Sequence, residues 1–195
     1  MAWYKLAAKR DNLTAIKNLA YHYGYGVNVE KDFAEAVRFY ERAIVLGDTE
    51  ALSELGDLYL DSGNFKSAAN FYQAAAEKGS TSAMVSLAKI HIAAQDYQQA
   101  VRLMQRAATL GNTAAMSYLG WFFTSSEKTK SQAEFWLRKA ADAGNGDGMK
   151  WLADLLAENK SYREAEYWYN KAAQLNVAGA LESLAELKNK LGVLI

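Results

Sequence analysis

The chain has 195 residues, with 22 Lys and Arg balanced by 22 Asp and Glu. It has no basic run, which argues against a nucleic-acid backbone as partner. Cysteine is absent, so disulfides and thiolate metal sites are excluded, and no apolar stretch approaches the roughly eighteen residues of a membrane span.

Taken in order, residues 3–10 read as the second helix of an incomplete repeat, closed by Asp11-Asn12, so a half repeat covers 1–11. The opening MAWYKLAAKR lacks the apolar core of a signal peptide. A cytoplasmic location is the default expectation, with export the alternative if a native signal has been removed. From Ala15 to Asp48 the chain reads as two short amphipathic helices joined by a Gly-containing loop. Ala15, Leu19 and Tyr23 form one stripe, and Phe33, Ala36, Tyr40, Ala43 and Ile44 form the other. Two such helices packed together still leave one side apolar, so the unit needs a neighbour.

Neighbours follow in phase. Ala15 is matched by Ala51, Ala83, Ala115, Gly148 and Ala180. Leu19-Ala20 is matched by Leu55-Gly56, Leu87-Ala88, Leu119-Gly120, Leu152-Ala153 and Leu184-Ala185, and the small second residue lets another helix come close. The second-helix alanines Ala43, Ala75, Ala107, Ala140 and Ala172 recur likewise. Full repeats are expected at 13–47, 49–79, 81–111, 113–144 and 146–176. A capping helix at 178–191 should cover the fifth through Leu181, Leu184 and Leu187. The whole of 1–195 reads as a single solenoid domain. Gly47, Gly79, Gly111 and Gly144 stand where a left-handed residue ends a helix, and Asn176 takes that place in the last repeat. After the glycines come good caps: Asp48, Ser80, Asn112 and Asn145. Second helices are expected to begin at Asp32, Asn64, Asp96, Thr129 and Ser161. No strand-like alternation is present.

In the first unit Leu19, Tyr23, Gly24-Tyr25-Gly26-Val27, Asp32, Ala36, Phe39-Tyr40, Ala43 and Gly47 together resemble a Sel-one-like repeat, a relative of the tetratricopeptide repeat. The family's aromatic pair is seen as Trp3-Tyr4, Phe39-Tyr40, Phe71-Tyr72 and Trp168-Tyr169, weakening to Leu103-Met104 and Trp136-Leu137. Later units lack the Gly-x-Gly-Val loop and have tetratricopeptide-like lengths. The resemblance implies an all-α fold, a right-handed α-solenoid of antiparallel helix pairs with first helices on the concave side. It also implies a non-enzymatic scaffold or adaptor that binds a protein or peptide, with a bacterial regulatory or immunity-type binder as a specific variant. The alternatives are a hydrolase of the kind ascribed to cysteine-rich relatives, or a designed repeat protein.

The residues offer little chemistry. His22 and His91 lack a second close ligand, and His91 takes the core position of Tyr23 and Tyr59. Gly24-x-Gly26 follows a helix rather than a strand, so a phosphate loop is not indicated. Glu50 and Glu54 read as solvated charges one helical turn apart. No catalytic residue, metal ligand or cofactor site is expected. Tyr40, Tyr72 and Tyr169 belong to the core, and Trp3, Trp136 and Trp168 are expected to pack between repeats.

The expected partner surface is a row two residues after the repeated Leu: Tyr21, Asp57, Lys89, Trp121 and Asp154. Its side chains vary while Leu and Ala beside them do not, so the row is free to serve recognition. A second row, Lys17, Ser53, Val85, Ser117 and Lys150, lies one turn earlier. Both should line a concave groove holding one partner, with Trp121 as the apolar anchor and Asp57 and Lys89 setting orientation. Acids outnumber bases between Glu30 and Asp61, so a basic patch on a partner would be steered there. The chain is expected to be monomeric, without membrane insertion.

Overall fold

Asn12 begins the regular pattern by lending its side chain to the backbone: its Oδ1 accepts the N–H of Ala15 at 2.9 Å. The computed structural model describes residues 1–192, and every regular element among them is helical. After α1 (Ala2–Ala8) come the pairs α2 (Leu13–Tyr25) and α3 (Phe33–Val45), then α4 (Glu50–Asp61) and α5 (Phe65–Glu77). Next are α6 (Thr81–Ala93) and α7 (Tyr97–Thr109), then α8 (Thr113–Phe123) and α9 (Lys130–Asp142) with a 3-10 turn, Glu127–Thr129, between them. The last pair is α10 (Gly146–Glu158) and α11 (Tyr162–Gln174), followed by α12 (Ala180–Gly192). The helices fall into two compact units, Met1–Tyr97 and from Gln98 onward.

Each junction between pairs is one hinge with two functions. Gly47, Gly79, Gly111 and Gly144 have φ of 85 to 94°, and Asn176 has φ 55°, as expected of left-handed helix ends. The next N–H then bonds back to the second-helix alanine: Asp48 to Ala43 O, Ser80 to Ala75 O, Asn112 to Ala107 O, Asn145 to Ala140 O and Val177 to Ala172 O. The same Asp48, Ser80, Asn112 and Asn145 side chains accept the first N–H groups of the following helix. Asp32 and Asn64 cap α3 and α5 in this way, whereas Thr129 and Ser161 stand at the cap position without that bond.

In the first unit Leu19, Ala20, Ala36, Ala43, Ala51 and Leu55 are wholly buried. Gly56 is needed for close approach, because a Cβ there would lie 2.7 Å from the Tyr72 ring. Tyr23 stacks on Phe39 at 5.9 Å and Tyr59 on Phe71 at 5.4 Å, tying each helix pair together with parallel rings. In the second unit Ala133, Leu137, Ala140, Leu152, Ala153 and Ala172 are wholly buried, and a Cβ on Gly120 would lie 2.4 Å from Leu137 Cγ. Tyr40, Tyr72, Tyr169 and Trp168 are buried as expected.

Two expectations about packing fail. Trp3 is 82% exposed. Its counterparts Phe39 and Phe71 lie against the tyrosine of the helix before them, and no first helix precedes α1 among the described residues. Leu181 is 65% exposed, so α12 meets α11 through Leu184 and Leu187 alone of the three leucines. Each step of three residues falls about 60° short of a full turn, so 181 lies about 120° around the helix from 187, which turns the first of the three off the stripe.

Candidate functional site

Helix α2 is two-faced. Ala15, Ile16, Leu19 and Ala20 point into the core, and Thr14, Lys17, Asn18, Tyr21 and Tyr25 line a cleft. The helical period dictates this division, since 14, 17, 18, 21 and 25 form their own stripe. Tyr40 of α3 and Glu54 and Asp57 of α4 complete the cleft, whose volume is about 500 Å³. The Tyr21 and Tyr25 rings lie 4.8 Å apart along one wall, and Tyr21 is 50% exposed. A neighbouring cleft of about 460 Å³ shares Glu54 and Asp57 and adds Glu50 together with Ser53 and Ser80, whose hydroxyls are 3.3 Å apart.

One cation sits among the acids. Lys17 Nζ lies 2.5 Å from Glu50, 3.4 Å from Asp48 and 3.4 Å from Glu54. Burial works against its charge, but the hydrogen bond to Glu50 and the charges of Glu54 and Asp48 outweigh this and hold its pKa above the lysine range. Glu50 and Glu54 are therefore not a merely solvated pair. Burial pushes the Glu54 carboxyl up, against the pull of Lys17, and its Oε2 is buried without a donor. Burial, then the Glu54 charge, also raises Tyr40, and burial with Asp61 pushes Tyr25 up to about 12. The phenols thus stay protonated and available as donors.

Asp57 and Asp154 have a structural task that variability alone does not reveal. Tyr72 donates to Asp57 Oδ1 at 2.5 Å, and Tyr169 donates to Asp154 Oδ1 at 2.6 Å. Both tyrosines are almost wholly buried, so the aspartates satisfy hydroxyls that would otherwise lose their bond to water. The signal was present in the sequence: in both cases Asp stands 15 residues ahead of Tyr. Where the second-helix position is Leu137, the first-helix position is Trp121.

In the second unit Trp121 is 53% exposed, with its ring 6.2 Å from that of half-buried Trp151. Lys150 pairs with Asp154 at 3.0 Å. The secondary row is only partly accessible. Val85 and Ser117 are 8% and 2% exposed, and Ser117 donates to Ala114 O of its own helix. A buried side chain cannot touch a partner, so these two leave the candidate surface. Lys89 lies exposed on α6. Tyr25, Tyr40 and Glu54 were not in either row, although Tyr25 follows Tyr21 by one helical turn.

His22 Nδ1 lies 2.6 Å from Val27 O, and His91 faces Asp96 at 3.3 Å; both histidines hold the ends of their helices. Among the described residues no His, Cys, Asp or Glu cluster could hold a metal, and no helix is long and apolar enough to cross a membrane.

Repeated helix pairs with small residues at their crossings, a left-handed residue at each hinge and open polar first-helix faces define a tetratricopeptide-like α-solenoid protein. The chain belongs to the Sel1 repeat family, whose model matches residues 1–12, 14–48, 113–145 and 156–177, just over half of it. The tetratricopeptide repeat model matches 51–82 and 83–114, so the mixed character seen in the later units divides by repeat. A protective antigen from uropathogenic Escherichia coli displaying an SLR fold is 27% identical, with a TM-score of 0.78 over 97% of this chain and 44% of that one. This chain thus spans less than half of the antigen. A Sel1 repeat protein from Oxalobacter formigenes is 26% identical, with a TM-score of 0.71 over 89% of this chain and 75% of that one. An immunity protein from Pseudomonas aeruginosa shares the fold at 21% identity, with a TM-score of 0.57 over 90% of this chain and 73% of that one. No curated protein matches the sequence.

Proposed function

We propose that the chain is a non-enzymatic scaffold that binds a protein or peptide on the exposed faces of its first helices. The observation that carries this reading is the half-open state of Trp121 and Tyr21. Each follows a buried Leu-small pair, and neither makes the Asp–Tyr bond that occupies the same position elsewhere. A large aromatic side chain held open at a fixed repeat position is the kind of anchor that dominates protein interfaces. Tyr21, Lys17, Ser53, Asp57 and Lys89 supply the surface in the first unit, and Trp121, Lys150 and Asp154 in the second. An immunity-type role, binding one cognate protein, is the narrower form of this proposal.

Affinity capture with the purified chain, run beside a Tyr21→Ala/Trp121→Ala double variant of equal melting temperature, tests it. The proposal expects a stoichiometric protein partner held by the parent chain and lost by the variant. Equal capture by both, or no stoichiometric partner, contradicts it.

A further inference from the structure

We infer that the cleft between α2, α3 and α4 is a receptor for an arginine side chain on the partner; this rests on the scaffold reading above. Among the described residues Lys17 is the only cation lining the cleft, and it is already gripped by Asp48, Glu50 and Glu54. Three carboxylates around one ammonium leave a surplus of two negative charges, to which Asp57 on the lining adds a third. Asp61 lies beside Tyr25. A guest here must be positive.

Shape narrows the choice. The volume of about 500 Å³ lies within the range of small-ligand pockets and comfortably admits one long side chain with its stem. The rings of Tyr21 and Tyr25, 4.8 Å apart, offer aromatic faces to a planar cation, and Glu54 and Asp57 offer carboxylate oxygens within the same cleft. A guanidinium uses both, stacking on a ring while its forked N–H groups reach carboxylates. Asp57 Oδ1 is held in place by the Tyr72 hydroxyl, so this acceptor is preorganised. Burial, and after it the charges of Asp61 and Glu54, keep the Tyr25 and Tyr40 phenols protonated beside these carboxylates.

The test uses the full chain, ¹⁵N-labelled, titrated with blocked arginine amide, blocked glutamate amide, guanidinium chloride and a short Gly-Ser peptide with a central Arg. Arginine amide and the Arg peptide should shift the amide signals of Tyr21, Tyr25, Glu54 and Asp57, and the glutamate analogue should not. Glu54→Gln should weaken the arginine response about tenfold or more. Tyr21→Ala, at a half-exposed position, should weaken it with an unchanged melt and serves if Glu54→Gln does not fold. Shifts elsewhere, equal response to Glu and Arg, or no loss in the variants overturns the inference. Guanidinium chloride binding as tightly as the Arg peptide overturns the partner assignment, since a free small cation would then suffice. Failure of these titrations with partner capture intact leaves the scaffold reading standing; loss of capture with the titrations intact does the reverse.

Discussion

The two units solve one problem at the same repeat position in two ways. In the first unit Asp57 anchors Tyr72, and beside it α2 opens a cleft with a tyrosine wall and an acidic surplus. In the second, Asp154 anchors Tyr169, while Trp121, across from buried Leu137, has no hydroxyl to serve and stays open beside Trp151. A variable position in a repeat is therefore not automatically a recognition position. Its residue can be tied to the second helix, as Asp57 and Asp154 are, and it is at liberty where no such bond forms, as at Tyr21 and Trp121.

The largest change breaks what both units share. Ala107 is wholly buried on α7, and Ala107→Arg should cost about 4 kcal/mol, because it overfills a packed site and buries a charge. A circular dichroism melt reads this as a large fall in melting temperature, and an unchanged value would mean the repeat register is wrong. Next comes the anchored-versus-open distinction. Asp57→Ala and Asp154→Ala should each cost about 2 kcal/mol by removing the carboxylate that accepts from a buried tyrosine hydroxyl. Trp121→Ala should cost under about 1 kcal/mol. Denaturant titrations decide: equal losses at all three positions would erase the distinction. Adding Tyr72→Phe to Asp57→Ala should recover much of the loss.

A third contrast is in pH. Glu54 has its carboxyl raised above 4.5 by burial, so its contribution is fully present below that value and is lost as pH rises through the raised pKa. Glu164 is lowered below 4.5 by its hydrogen bond to Arg138, so its contribution is present above 4.5 and is lost as pH falls through the lowered pKa. Melting temperature against pH should then show Glu54→Gln gaining on the parent towards neutrality. Glu164→Gln should fall behind the parent in the same range and converge with it in acid. Parallel curves for both variants would contradict the assignment. The smallest effect concerns the turn inside the pair, where Gly63 has φ 78° and Lys160 has φ 63° at the matching place. Lys160→Gly should gain up to about 1 kcal/mol by relieving the left-handed strain, visible as a small rise in melting temperature.

Much of the fold was legible because its determinants are local. Alanine at 43, 75, 107, 140 and 172, glycine or asparagine after it, and a capping side chain next fix where helices stop and start without long-range information. The exposure of Trp3 and Leu181 is not legible in the same way, because burial depends on what stands opposite, which a repeat register does not contain. The site was legible in part. Lys17, Tyr21 and Asp57 do line one cleft, but Glu54 joins them only because α4 packs beside α2 and α3, and its position on the helix alone looked solvated. The Asp–Tyr bonds are legible in the 15-residue spacing that recurs between the variable first-helix row and the second helices.

The most direct test of the central claim is calorimetric titration of the captured partner into parent chain and Trp121→Ala, with melts on the same preparations. The account predicts an affinity loss of about 2 kcal/mol, near thirtyfold, at an almost unchanged melting temperature. Unchanged affinity at an unchanged melt would contradict it and place the partner away from the open first-helix positions.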